Sequence, residues 1–184
     1  MKITRCLALA AVAAGLLLAL RGGSSVARST EVVAGAPPRV LANGAPSLDV
    51  LVNRFLVALS SGDRDALEEM RVSEAEYRGL IVPGSVAPGE PPQVLSKEAS
   101  LYFWQDLNAR STYTRNELLR RFGGKSLALV DFHFDKGTRR FANHVAHRRL
   151  VVTARDEHGE DVEIRTGSIV DVDGGFKFVS FVRG

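Results

Sequence analysis

Apolar residues fall at Leu48, Leu51, Val52, Phe55, Leu56 and Leu59, the i, i+3, i+4 spacing of a helix with one buried face, while Asn53, Arg54 and Ser60 lie off that face. Ser47, just ahead of the run, supplies a side-chain oxygen for the free N–H groups of the first turn, and Ser61-Gly62 closes the helix. Asp63 then caps a second short helix that turns Ala66, Leu67 and Met70 inward. Ser73-Glu74-Ala75-Glu76 fits the capping box that opens a third, in which the Ser and Glu side chains each bond the other's backbone N–H. Glu76 is therefore assigned a structural role ahead of a catalytic one.

From Val82 to Val94 the pattern breaks. Pro83, Pro88, Pro91 and Pro92 with Gly84 and Gly89 predict a long loop with no regular helix. Ser96 can cap a further helix reaching Phe122 and ending at Gly123-Gly124. Leu101, Trp104, Leu107 or Asn108, Leu118, Leu119 and Phe122 supply its apolar face, and Ser111 to Thr114 is the expected point of interruption. The period then shortens. Leu127 to Phe134, Arg148 to Arg155, Val162 to Val172 and Phe176 to Val182 are rich in Val, Ile, Phe and Thr, with turns at Asp156 to Gly159 and Asp173-Gly174-Gly175. Apolar groups on both sides of the last segment place it in the centre of its sheet. Helices first and antiparallel strands afterwards predict an α+β domain over residues 47–184.

The first 46 residues belong to neither pattern. Lys2 and Arg5 precede an unbroken apolar run from Cys6 to Leu20, and Ser25-Val26-Ala27 offers small residues where a signal peptidase reads. Residues 1–27 are read as a signal peptide, so the domain is expected in the periplasm or outside the cell. Anchoring through an uncleaved N-terminus is the alternative, although the run is shorter than the roughly 20 residues that span a bilayer. Residues 28–46, rich in Ala, Gly, Pro, Val and Ser, read as a flexible tether.

Removal of the signal changes the charge balance. Three of the 24 Lys and Arg (Lys2, Arg5 and Arg21) precede Ala27, where there is no acid, which leaves as many bases as the 21 Asp and Glu. The mature domain is formally neutral and lacks the basic surface of a nucleic-acid binder. Cys6 is the only cysteine, so the mature chain forms no disulfide and depends on packing. The preponderance of Arg over Lys fits a GC-rich bacterial coding sequence.

Few residues offer chemistry. Asp131 and His133 stand at i and i+2 of a strand and so share a face, where a carboxylate could orient an imidazole for acid–base work. Phe132 and Phe134 mark the other face as apolar, which leaves the pair two placements, solvent or pocket. Tyr77, Tyr102 and Trp104 either line a cavity or belong to the core. His144-Val-Ala-His147 has a spacing suited to metal ligation on a helix, but the pattern there reads as loop entering strand, so no metal site and no cofactor are expected.

The segment Phe55 to Leu67, with its amphipathic helix, Gly62-Asp63 junction and short second helix, resembles the opening of the nuclear-transport-factor-2-like, or polyketide-cyclase-like, superfamily. Gly167 to Phe181 is similar to that superfamily's last hairpin. The two pieces cover about a quarter of the mature chain, and the stretch from Val82 to Phe122 departs from the compact members. The resemblance implies a cone of helices on a curved antiparallel sheet with a pocket between them. Enzymatic members place a carboxylate or His with a Tyr in that pocket, and no such motif matches here residue by residue. Three functions stay open: a non-catalytic module that binds a small apolar ligand or an envelope protein; an isomerase, dehydratase or hydrolase using Asp131, His133 and a Tyr; and a structural or interaction domain with a filled core that forms a homodimer through an edge strand or the cone mouth.

Overall fold

The computed structural model describes residues 40–182. The signal at 1–27 and residues 28–39 of the tether lie outside them. Residues 40–46 pack on the fold: Leu41 and Ala45 are buried, and Ala45 exchanges both backbone hydrogen bonds with Phe176 at 2.9 Å.

Helix α1 (Leu48–Ser61) starts where the Ser47 hydroxyl accepts from the Val50 N–H. It ends at Gly62, whose φ of 74° is the left-handed geometry that costs glycine least. The N–H groups of Gly62 and Asp63 return to the carbonyls of Leu59 and Ala58, the paired bonds of a Schellman turn. Asp63 caps α2 (Arg64–Glu69), and the capping box of Ser73 and Glu76 opens α3 (Glu74–Glu76). This helix does not stop at Val82. It continues through a π-helical turn (Tyr77–Ile81) into α4 (Val82–Gly84), where Pro83 occupies the first turn and its missing N–H is tolerated. The loop that follows is held at both ends, by Gln93 N–H on Pro83 O and Ala142 N–H on Val86 O.

Helix α5 (Lys97–Phe122) is unbroken. Ser111, expected to interrupt it, is buried, and its hydroxyl accepts from the Phe181 N–H at 2.9 Å. A tertiary partner occupies an oxygen that would otherwise compete for the helix's own backbone.

The strands are β1 (Ala128–Phe134), β2 (Thr138–Arg140), β3 (Val145–His147), β4 (Leu150–Arg155), β5 (Asp161–Arg165), β6 (Ile169–Val172) and β7 (Gly175–Phe178). They form two antiparallel sheets, ordered β1-β4-β5 and β2-β3-β6-β7. The domain is α+β, helices first and sheets afterwards. The segment expected as one strand from Val162 to Val172 divides at Thr166–Ser168, where Gly167 lies so close to the Ser180 carbonyl that a Cβ would stand 2.0 Å from its oxygen. Backbone bonds still cross this junction: Asp135 N–H to Arg149 O, Arg148 N–H to Gly137 O, and the exchanges of Leu150 with Gly167 and Thr166.

The last strand, expected in the centre, is at the end of its sheet. Its outer edge is covered by other parts of the chain, since Phe178 N–H donates to Met70 O, Val72 N–H donates to Phe178 O, and Ala45 pairs with Phe176. Such cover protects an edge as a neighbouring strand would.

Strand β6 is buried on two sides. Ile169 joins a cluster with Leu51, Phe55 and Leu59 of α1, Leu118 and Phe122 of α5, and Phe178 and Phe181. The rings of Phe55, Phe178 and Phe181 lie with centroids 5.1 to 6.0 Å apart. Val170 and Val172 join a second cluster with Leu41, Val72, Leu80, Ile81 and Trp104.

Candidate functional site

Asp131 and His133 are both exposed on β1, opposite Thr153 and Val151 of β4. The His133 side chain is 57% exposed, and its Nε2 lies 3.2 Å from Asp135 Oδ1. Asp135 Oδ2 in turn meets Arg165 Nη1 at 2.7 Å, and Arg165 Nε meets Glu163, so the imidazole belongs to a chain of surface charges. His144 is buried with Nδ1 2.7 Å from Asn143 Oδ1, and its ring stacks on Phe141. His147 lies between the rings of Phe134 and Phe176. Burial lowers the pKa of both below the ordinary histidine value. No group of three His, Cys, Asp or Glu among the described residues is placed to hold a metal.

Tyr77 and Trp104 meet, with ring centroids 5.5 Å apart, and burial raises the Tyr77 hydroxyl above the ordinary tyrosine value. Tyr102 does not join them. Two residues before Trp104 it falls on the far side of α5, 67% exposed, its ring set edge-on against Phe103.

Trp104 lines a cleft of about 690 Å³ together with Arg71, Val72, Glu76 and Lys177, and with Asp65, Glu68, Glu69 and Glu74 among its acidic side chains. Strand β7 turns Phe176 and Phe178 toward the α1 cluster, which leaves Lys177 on the other face, opposite Val170. There Lys177 Nζ lies 3.1 and 3.3 Å from the two Glu76 oxygens, with side chains only 7% and 4% exposed. Glu76 also accepts from the N–H groups of Ser73 at 2.6 Å and Ala42 at 2.7 Å. Burial alone would push this carboxyl up. The Ser73 N–H, the Lys177 ammonium and the Ala42 N–H together outweigh burial and hold its pKa below the ordinary value.

Arg71 follows α2, and its side chain is 0% exposed. Its Nη1 donates to Glu68 Oε1 at 2.8 Å and to Asn108 Oδ1 at 3.1 Å, while Glu68 Oε2 takes Arg115 Nη1 at 2.8 Å. The guanidinium carbon lies 5.8 Å from the Trp104 ring centre and 6.0 Å from that of Phe181. Arg71 Nε and Nη2 and Arg115 Nε have neither a hydrogen-bond partner nor solvent contact. Burial lowers the Arg71 pKa, a shift that Glu68 opposes. Asn108, Ser111 and Arg115 continue the same stripe of α5 as Trp104, Leu118 and Phe122, so the inward side of this helix is polar through its middle turns.

Sequence reasoning missed Arg71 and Arg115, and placed Asn108 only as an alternative to Leu107 on the buried face of α5. The signal available was the phase of α5, in which polar residues occupy positions where Trp104, Leu118 and Phe122 predict burial. A second groove of about 610 Å³ runs along the outside of α1 and α2, past Val57, Ala66 and Met70. Among its polar residues, Asp63 caps Ala66 and the Asn53 amide donates to Asp49 O. Comparison of the chain with protein-family models, curated proteins and solved structures gives no match.

Proposed function

We propose that this is an exported, non-catalytic binding module of the nuclear-transport-factor-2-like type, whose ligand is a small, largely apolar molecule seated in the cleft beside Trp104. The observation that carries the reading is the joint presence, in one cleft, of the Trp104 ring and buried charged groups already committed to holding the fold. Glu76 accepts hydrogen bonds from three donor groups, one of them the Lys177 ammonium, so neither is free to shuttle a proton. Exposed Asp131 and His133 stand apart from that cleft's lining. Ala42, Val72 and Trp104 supply the apolar part of the lining, against which the body of a small ligand can pack.

The cone is part of the same proposal. The backbone bonds that cross from β1-β4-β5 to β2-β3-β6-β7 make the two sheets candidates for one ladder with a sharp turn at Gly137, Arg149 and Gly167. Arg149, at φ 61°, adopts the left-handed geometry that such a turn can require of a non-glycine residue. Export rests on the N-terminal pattern of Lys2, Arg5, the apolar run and Ser25-Val26-Ala27.

Equilibrium dialysis of the purified full chain against a small-molecule extract, read by mass spectrometry, tests the binding reading. A compound retained by the wild type and lost from Trp104→Ala supports it. Equal recovery of every compound on both sides of the membrane would reject it.

A further inference from the structure

The cleft's chemistry narrows the ligand. We infer that it carries a single carboxylate, taken up side-on by Nε and Nη2 of Arg71; this rests on the cleft beside Trp104 being the ligand site. A guanidinium offers its donors as planar forks, and the fork of Nε with Nη2 matches the two oxygens of a carboxylate. In Arg71 the remaining nitrogen is engaged: Nη1 serves Glu68 and Asn108, which fixes the plane of the group. The side-on fork carries no partner although the side chain is wholly buried. Buried donors that meet no acceptor are costly, and charged ones more so, so a fork held in this state is explained by an acceptor that completes it.

Charge sets the valence. Arg71 and Arg115 share the one carboxylate of Glu68, which leaves the trio with one positive charge in excess. Glu76 and Lys177 cancel one another. A monoanion neutralises this excess, whereas a phosphate dianion would overshoot it; Asp65 and Glu69 in the same cleft repel either anion, the dianion more, and Glu74 is already held by Arg78. The Trp104 ring, which lines the cleft beside the guanidinium, provides apolar surface for the body of the acid. Because the fork has no solvent contact, the acid reaches it only by displacing a neighbour, and Trp104 is the neighbour that both lines the cleft and lies against Arg71.

Trp104 is the only tryptophan in the chain, so its emission reports on this site alone. The full chain is titrated with benzoate and with hexanoate, each against its neutral amide, benzamide or hexanamide, following Trp104 emission and the heat of binding. The two acids distinguish an aromatic from an aliphatic ligand. At least one is expected to shift the emission saturably and to bind about 10-fold or more tightly than its amide, as a fork that loses an acceptor oxygen demands. Arg71→Lys, which keeps the charge but not the fork, is expected to lose about 10-fold in the same affinity. Amides that bind as tightly as the acids, or an unchanged affinity in Arg71→Lys, would overturn the carboxylate while leaving the cleft as a binding site. Absence of any saturable response to acid or amide would overturn both. If Arg71→Lys fails to fold, the acid and amide comparison on the wild type decides alone.

Discussion

Replacing Glu76 by Ala should remove a large part of the stability of the domain. Its carboxylate joins three stretches of chain: the Ala42 N–H before α1, the Ser73 N–H at the start of α3, and the Lys177 ammonium on β7, 101 residues away. Loss of the capping contact is worth about 1 kcal/mol. The Ala42 N–H lies near the surface and can turn to water, so it adds little. The dominant cost is Lys177, left charged with its side chain 7% exposed, since breaking a buried pair from one side costs about 3–5 kcal/mol. The sum, about 4–6 kcal/mol, is comparable to the whole stability of many domains. Lys177→Met should cost about half as much, because Glu76 keeps two backbone donors. Glu76→Ala combined with Lys177→Met removes both charges and should be less destabilised than the two single changes added together, with a coupling of about 2 kcal/mol. Urea unfolding of the full-length variants at neutral pH, followed by Trp104 emission and circular dichroism, measures all three. A loss below about 1 kcal/mol in Glu76→Ala, or strict additivity in the cycle, would refute the reasoning that the pair is a buried clasp.

Gly167→Ala would place a methyl 2.0 Å from the Ser180 carbonyl oxygen and 2.8 Å from its carbon, both backbone atoms, so a loss of about 3 kcal/mol or more is expected in thermal unfolding. Gly62→Ala meets open space and strains only its φ of 74°, so about 1 kcal/mol is expected there. Ser111→Ala leaves the buried Phe181 N–H without its acceptor and should cost about 1–3 kcal/mol, measurable by urea unfolding. Stability should fall in two stages as pH is lowered. The depressed pKa values of His144 and His147 mean that the unfolded chain takes up protons first, so stability declines as pH drops through about 6.5 toward the folded-state values and then levels. The depressed Glu76 contributes stability that is present above about 4.5 and lost as pH falls through its lower folded value. Unfolding curves across pH should show His144→Gln flattening the first stage; an unchanged profile would count against a buried neutral imidazole.

Local signals in this chain were legible wherever the answer lay within a few residues. Ser47, Asp63, Ser73 and Ser96 cap the helices that their spacing predicts, and Asp171 Oδ1 closes the turn at Gly174. Asp131 and His133 alternate with Phe132 and Phe134 as a half-buried strand should, and the structure places the polar members outside. Strands β2 and β3 escaped because three residues are too few for a period, and Arg139 and Arg140 carry no apolar signal. What remained hidden depends on distant partners. Cover for the edge of β7 comes from Ala45 and Met70 to Val72, the capping Glu76 acquires Lys177 from the last strand, and Asn108 becomes a ligand of Arg71 through the packing of α5 on the segment after α2. None of these pairings has a local pattern, and each decides a feature of the cleft.

The most direct test of the cleft as the working site is to map where a retained compound binds, by following backbone amide shifts of the full chain as it is added. The account predicts that shifts concentrate at Arg71, Val72, Ser73, Trp104 and Lys177. Shifts confined to Val57, Ala66 and Met70 on the outer groove would contradict it.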